Sequence, residues 1–209
     1  MKTKGAQYRT ALGKYLPPEF VDSVIDLLLT HPVVFKIVKP RKTKLGDFRA
    51  GMNGEKHRIT INGDLNTFSF LITTLHEFAH LITYQTYGRR VAPHGAEWKK
   101  EYTNLLLPVI NSKKLPSDVE AALMNSLVKV KASSCSDANL HRTLIKYNAP
   151  NEKGATLESL EKNSIFALNG KTFEKGKLRR TRFLCTETTT KKQYLVSALA
   201  HVTEIKHEE

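Results

Sequence analysis

His76, Glu77, His80 and His94 are the residues whose types and spacing fit a chemical task. All four lie in LHEFAHLITYQTYGRRVAPHGAEW, residues 75–98. Two histidines four positions apart on a helix are one turn apart, roughly 6 Å along the axis, so both imidazoles can reach one ion from the same side. Glu77 projects slightly round the helix, within reach of a water on that ion but badly placed to be a third equivalent ligand. His-Glu-x-x-His thus puts two metal ligands and a general base on one rigid turn. A third ligand must come from elsewhere, and Glu97, Glu101 and His94 all follow at suitable distance. His94 is favoured, because an imidazole between Pro93 and Gly95 sits in a tight return loop from which it can be aimed back at the first pair. One Zn²⁺ held by three protein ligands keeps a fourth position for water.

These groups need a rigid scaffold, and the surrounding pattern supplies one. Stepping 100° per residue places Ser69, Thr73, His76, Glu77, His80 and Thr83 on a single polar stripe, while the remaining positions from Phe68 to Ile82 are almost wholly apolar. This predicts a helix over residues 67 to 87, capped by Asn66, ended by Gly88-Arg89-Arg90 and buried on most of its circumference. A second helix is expected from Gly95 to about Leu107, with Trp98, Tyr102, Leu105 and Leu106 on a core face and a stop before Pro108.

Upstream, Pro17-Pro18 opens what reads as the first helix, amphipathic through Phe20, Val21, Val24, Leu27 and Leu28. VVFKIVK (33–39) and HRITIN (57–62) read as strands, with TKLGDFRAG between them as a further one, which predicts a small antiparallel sheet. Downstream, Ser117-x-x-Glu120 has the form of a capping box, and a short helix is expected around Asp137 to Tyr147. A connector at 151–154 leads to SIFAL, an Asn169-Gly170 turn, KLRRTRFLC and QYLVSALA, which read as short strands. The fold class is α+β, with a core at 1–112, a helical connector at 113–160 and a small basic β module at 161–209.

The chain carries 33 Lys+Arg against 20 Asp+Glu, a net charge of +13, which suits a polyanionic partner. Candidate phosphate contacts are Lys39, Arg41, Lys42 and Lys44 in KPRKTK, and Lys171, Lys175, Lys177, Arg179, Arg180 and Arg182 in KTFEKGKLRRTR. No helix-turn-helix or finger pattern is present, so DNA contact is expected to be non-specific. No apolar run reaches the length of a membrane span or a signal peptide. Cys135 and Cys185, 50 positions apart, cannot build a disulfide framework or a cysteine zinc ribbon. A cytoplasmic protein without a membrane or small-molecule cofactor partner is expected.

LHEFAHL followed by HGAEW, with HRITINGDLN before the helix, resembles the SprT-like metalloproteins, whose relative Spartan degrades proteins crosslinked to DNA. The resemblance covers roughly residues 15 to 110. It implies a zincin-like metallopeptidase core, zinc held by His76, His80 and His94, Glu77 as catalytic acid/base, and a role in DNA repair on protein substrates associated with DNA. The metzincin variant is excluded, since Thr83 and Thr86 stand where it needs Gly and His. Many relatives carry a cysteine zinc ribbon after this core; here only Cys185 lies in that region, so the C-terminal module is expected to be metal-free. A catalytically silent, zinc-stabilised nucleic-acid-binding or transcription-associated protein is the alternative, which Glu77 rather than charge would separate. Asp47 and Asp64 are candidates to orient a ligand histidine. Tyr84, Tyr87, Arg89 and Arg90 are near the motif, but spacing alone gives none of them a role at a reacting oxygen.

Overall fold

A computed structural model describes residues 3–41, 43–52, 54–128, 137–149 and 155–205; Lys42, Cys135 and His207 lie outside them. The chain divides into two compact units, Met1–Asn148 and Ala149–Glu209.

The first unit opens with α1 (Lys4–Leu12), which the sequence reading missed because KGAQYRTAL has no apolar stripe and buries only Leu12. A 3₁₀ turn at Pro18–Phe20 leads into α2 (Val21–Thr30), whose Val21, Val24, Ile25 and Leu28 enter the core. Strands β1 (Val34–Val38), β2 (Gly46–Arg49) and β3 (Arg58–Asn62) form a sheet in the order β1-β3-β2. The sheet is mixed rather than antiparallel: β1 runs parallel to β3, and β2 pairs antiparallel with β3. The reason lies in the connection from β1 to β2, which brings the chain out on the far side of β3 instead of turning back beside β1. Asn62 is the post for this crossover. It is 1% exposed, and its Nδ2 donates to the carbonyls of Arg41 and Lys44, both at 3.1 Å. A backbone bond from Asn62 N–H to Leu45 O at 2.8 Å completes the wrap.

Helix α3 (Thr67–Tyr87) follows, with Asn66 Oδ1 accepting from Ser69 N–H at 2.9 Å as its cap. Helix α4 (Ala96–Asn111) packs against it. It was expected to stop before Pro108 but runs through that residue. Proline removes one helical hydrogen bond, and burial of Val109 and Ile110 offsets that loss. Helices α5 (Ser117–Val128) and α6 (Ala138–Ile145) fall in the stretch read as a connector, yet Val119, Leu123, Leu140 and Leu144 belong to the same core as α2 and α3. Asn66 also donates to Leu144 O at 2.9 Å and Asn148 Oδ1 at 2.6 Å, tying α6 to the start of α3. The boundary between units therefore falls at 148/149 and not at both ends of a connector. Ser117 is the first helical residue of α5 rather than the residue before it, and the Glu120 carboxylate pairs with Lys113.

The second unit is β-rich: β4 (Ala155–Thr156), β5 (Ile165–Leu168), β6 (Lys171–Glu174), β7 (Leu178–Arg179), β8 (Arg182–Glu187), β9 (Gln193–Ser197) and β10 (His201–Ile205). Its core holds Leu157, Phe166, Phe173, Cys185, Val196 and Val202. The expected Asn169-Gly170 turn joins β5 to β6, with both residues at positive φ (53° and 77°), as a tight hairpin requires. KLRRTRFLC, read as one strand, is a hairpin of β7 and β8, with Arg180 at φ 56°.

Candidate metal centre

Helix α3 presents its polar stripe to a cleft of about 530 Å³. His76, Glu77 and Thr83 are buried and His80 is half-buried. His94 reaches the same point from the loop before α4. Its backbone sits at φ 60°, an uncommon conformation for a residue with a side chain, in a turn closed by Gly95 N–H to Ala92 O at 2.9 Å. The three Nε2 atoms form a triangle with edges of 3.3 Å (His76 to His80), 3.0 Å (His80 to His94) and 3.2 Å (His94 to His76). Tetrahedral zinc with metal–nitrogen bonds of about 2.0–2.1 Å separates its nitrogens by roughly 3.3–3.4 Å, so the donor set has the composition and nearly the spacing that zinc requires. Among the described residues these three histidines are the group of potential ligands that converges on one point. Glu97 and Glu101 do not join them; Glu101 accepts a bond from Tyr87 OH at 3.4 Å.

The imidazoles are held by aromatic packing. The Trp98 ring lies 4.7 Å from His76, 5.3 Å from His80 and 4.7 Å from His94 between centroids, and Tyr102 stacks on it at 4.8 Å. Trp98 was read as a core residue; it is that, and also the wall of the site. Phe48 from β2 stacks on the open side of His80 at 6.5 Å and 4° between planes. In the metal-free protein burial pushes His76 down to about 3, helped by the neighbouring His80 and His94, and His80 to about 4, helped by His94; burial also lowers His94. All three are thus neutral near pH 7, the state in which imidazole binds a metal.

Glu77 stands beside the triangle without belonging to it. Burial first, and the Asp47 carboxylate second, push it up to about 8, against a hydrogen bond from the Phe48 backbone N–H and the charges of Arg41 and Lys44. Space for it comes from Gly46: a Cβ there would lie 2.5 Å from Glu77 Oε1 and 2.8 Å from Thr73 Cγ2. Gly46 is a site residue that the sequence did not reveal, since nothing near it marks a contact with a helix 31 positions later.

Asp47 lines the cleft but binds Lys44 at 2.7 Å and Arg49 at 2.8 Å, not a ligand histidine. Asp64 is exposed and outside the cleft. Tyr84 and Arg89 line it, joined by Arg89 Nε donating to Tyr84 OH at 3.1 Å.

The basic residues fare unevenly. Arg41 is spent on structure, donating to Asn62 Oδ1 at 2.8 Å, Thr60 Oγ1 at 3.0 Å and Thr60 O at 3.3 Å. Lys44 is paired with Asp47, and Lys39 is exposed. Lys175 is withdrawn from the surface altogether: it is 4% exposed, donates to Glu158 O and Leu160 O, and lies 4.3 Å from the Phe183 ring. Lys171 pairs with Glu187 at 3.1 Å. Lys177, Arg179, Arg180 and Arg182 remain exposed on and around the β7–β8 hairpin.

An α+β unit with three convergent imidazoles that could hold a metal ion, and a buried carboxylate beside them, carries a His-Glu-x-x-His candidate metal site. Residues 28–118, which contain all four groups, match the SprT-like family model, and this stretch of the chain is SprT-like. Protein SprT of Pseudomonas fluorescens is 54% identical over 35 residues, covering 16% of this chain and 21% of that protein. The chain thus spans about a fifth of the length of that relative. No solved structure matches. Among the described residues no helix is long and apolar enough to cross a membrane.

Proposed function

We propose that the chain is a zinc-dependent peptidase with a zincin-like core, acting on proteins associated with or crosslinked to DNA. The observation that carries this reading is the pairing of the three-nitrogen triangle with a buried carboxylate that is not part of it. His76, His80 and His94 would hold the ion, and zinc supplies Lewis acidity toward a peptide carbonyl and toward water. Glu77 Oε accepts the proton of the attacking water and returns it to the departing amine nitrogen. Gly46 and the Phe48 N–H keep that carboxylate in place, and the wall of Trp98 and Phe48 fixes the imidazoles and excludes water from behind them. The exposed cations of the β7–β8 hairpin would hold DNA without reading its sequence.

Glu77→Gln separates catalysis from a structural role for the metal. The variant should keep its zinc stoichiometry and circular dichroism spectrum while cleavage of an unfolded protein or a DNA-crosslinked one falls by about 100-fold or more. Equal cleavage by Glu77→Gln and wild type would overturn the catalytic assignment.

A further inference from the structure

The outer face of the three-stranded sheet carries a basic groove assembled from segments far apart in sequence. Lys36 of β1, Arg49 of β2, Arg58 of β3 and Lys56 of the β2–β3 loop line about 360 Å³ of space. Arg49 and Arg58 are direct cross-strand partners, and Lys36 lies on the same face two residues beyond the position opposite Arg58. Like charges placed opposite one another weaken a sheet. Glu55 is the one carboxylate lining the groove, and Asp47 reaches only Arg49 there. Among the described residues Lys36, Lys56 and Arg58 have no ion-pair partner.

The groove is built rather than incidental. Gly51 N–H donates to His57 Nδ1 at 3.0 Å, and Glu55 N–H donates to Met52 O at 2.9 Å. The loop closes so tightly that a Cβ on Gly51 would lie 2.0 Å from Glu55 O.

We propose that this groove binds the phosphate backbone of DNA, as a contact surface separate from the β7–β8 hairpin. Its lining decides the kind of partner. Protein interfaces draw their affinity from buried aromatic or aliphatic anchors, and stable membrane attachment needs apolar insertion beside charge. This groove offers only Val34 and Ala50 as apolar lining, whereas phosphates ask for cations alone. Its position gives the contact a purpose: Gly46, Asp47 and Phe48, the residues of β2 just before Arg49, line the metal-site cleft. DNA held at Arg49 therefore lies one residue along β2 from the lining of that cleft. The proposal shares with the preceding reading the expectation of a DNA partner, but does not depend on the chemistry at the metal.

The test is binding of the full-length protein to a fluorescent duplex, followed by anisotropy across a salt series. The Lys36→Gln/Lys56→Gln/Arg58→Gln variant leaves Arg49 in place, because it holds Asp47. We expect about ten-fold weaker binding or more, with the slope of log Kd against log salt reduced by about 2 to 3. Zinc content and cleavage of a DNA-free peptide should be unchanged. An Arg179→Gln/Arg180→Gln/Arg182→Gln variant measured beside it gives the share owed to the hairpin. Wild-type affinity and slope in the sheet variant, or no binding by wild type at low salt, overturns the proposal. Failure of the peptidase reading shows separately, as absence of Glu77-dependent cleavage without DNA.

Discussion

His76 and His80 meet because a helix brings every fourth residue to the same side, whereas His94 meets them only because its backbone is held at φ 60°. That difference explains what was legible. The histidines and Glu77 stand in one local pattern, so type and spacing placed them; Gly46, Phe48 and Asp47 reach the site from a strand about 30 residues upstream, where only the tertiary fold makes them neighbours. Arg41 and Lys175 misled for a related reason, since a cation in a basic run gives no sign that a carbonyl or hydroxyl will claim it. At this scale the linked titrations make a prediction. In the metal-free protein Glu77 is raised from 4.5 to about 8, so the folded state holds the extra proton between those values. The associated stability is present below 4.5 and is lost as pH rises through 8, at roughly 1.4 kcal/mol per pH unit inside the window. The histidines are lowered from 6.5, so their contribution is intact above 6.5 and is lost as pH falls through about 4 for His80 and about 3 for His76. Chelator-treated Glu77→Gln should therefore melt above wild type near pH 8, and the gap should close below about pH 4.5; thermal melts across pH will show whether it does.

Helices α2 and α3 were readable as elements because an apolar stripe marks them, and α3 and α6 also open on capping side chains, Asn66 and Asp137. The mixed sheet was not, because the crossover depends on the amide of Asn62 reaching two carbonyls at once, a contact with no periodic trace. The end of α4 was misjudged because proline is a local signal and burial of the residues after it is not. Asn66 shows how much one polar side chain can carry between elements, since it caps α3 and also holds the end of α6. Asn66→Ala should cost about 1–2 kcal/mol by the loss of a cap alone, with more from the carbonyl of Leu144 left without that donor. Urea unfolding of zinc-loaded protein should register this as a lower midpoint with zinc stoichiometry unchanged; an unaltered midpoint would show that α3 does not depend on its cap.

Two cores, one around α3 and one in the β-rich unit, make the whole molecule a pair of folding bodies divided at 148/149. A ligand that binds only the folded form of one body stabilises that body by mass action. Zinc should accordingly raise one of two calorimetric transitions and leave the other where it stands in chelator; a single transition moving as a whole would mean that the units melt together. Trp98 makes the assignment of those transitions direct. It is the only tryptophan among 209 residues and it packs against every imidazole of the triangle. Indole emission from this chain thus originates at a single spot in the first unit, and the second unit unfolds without an indole of its own.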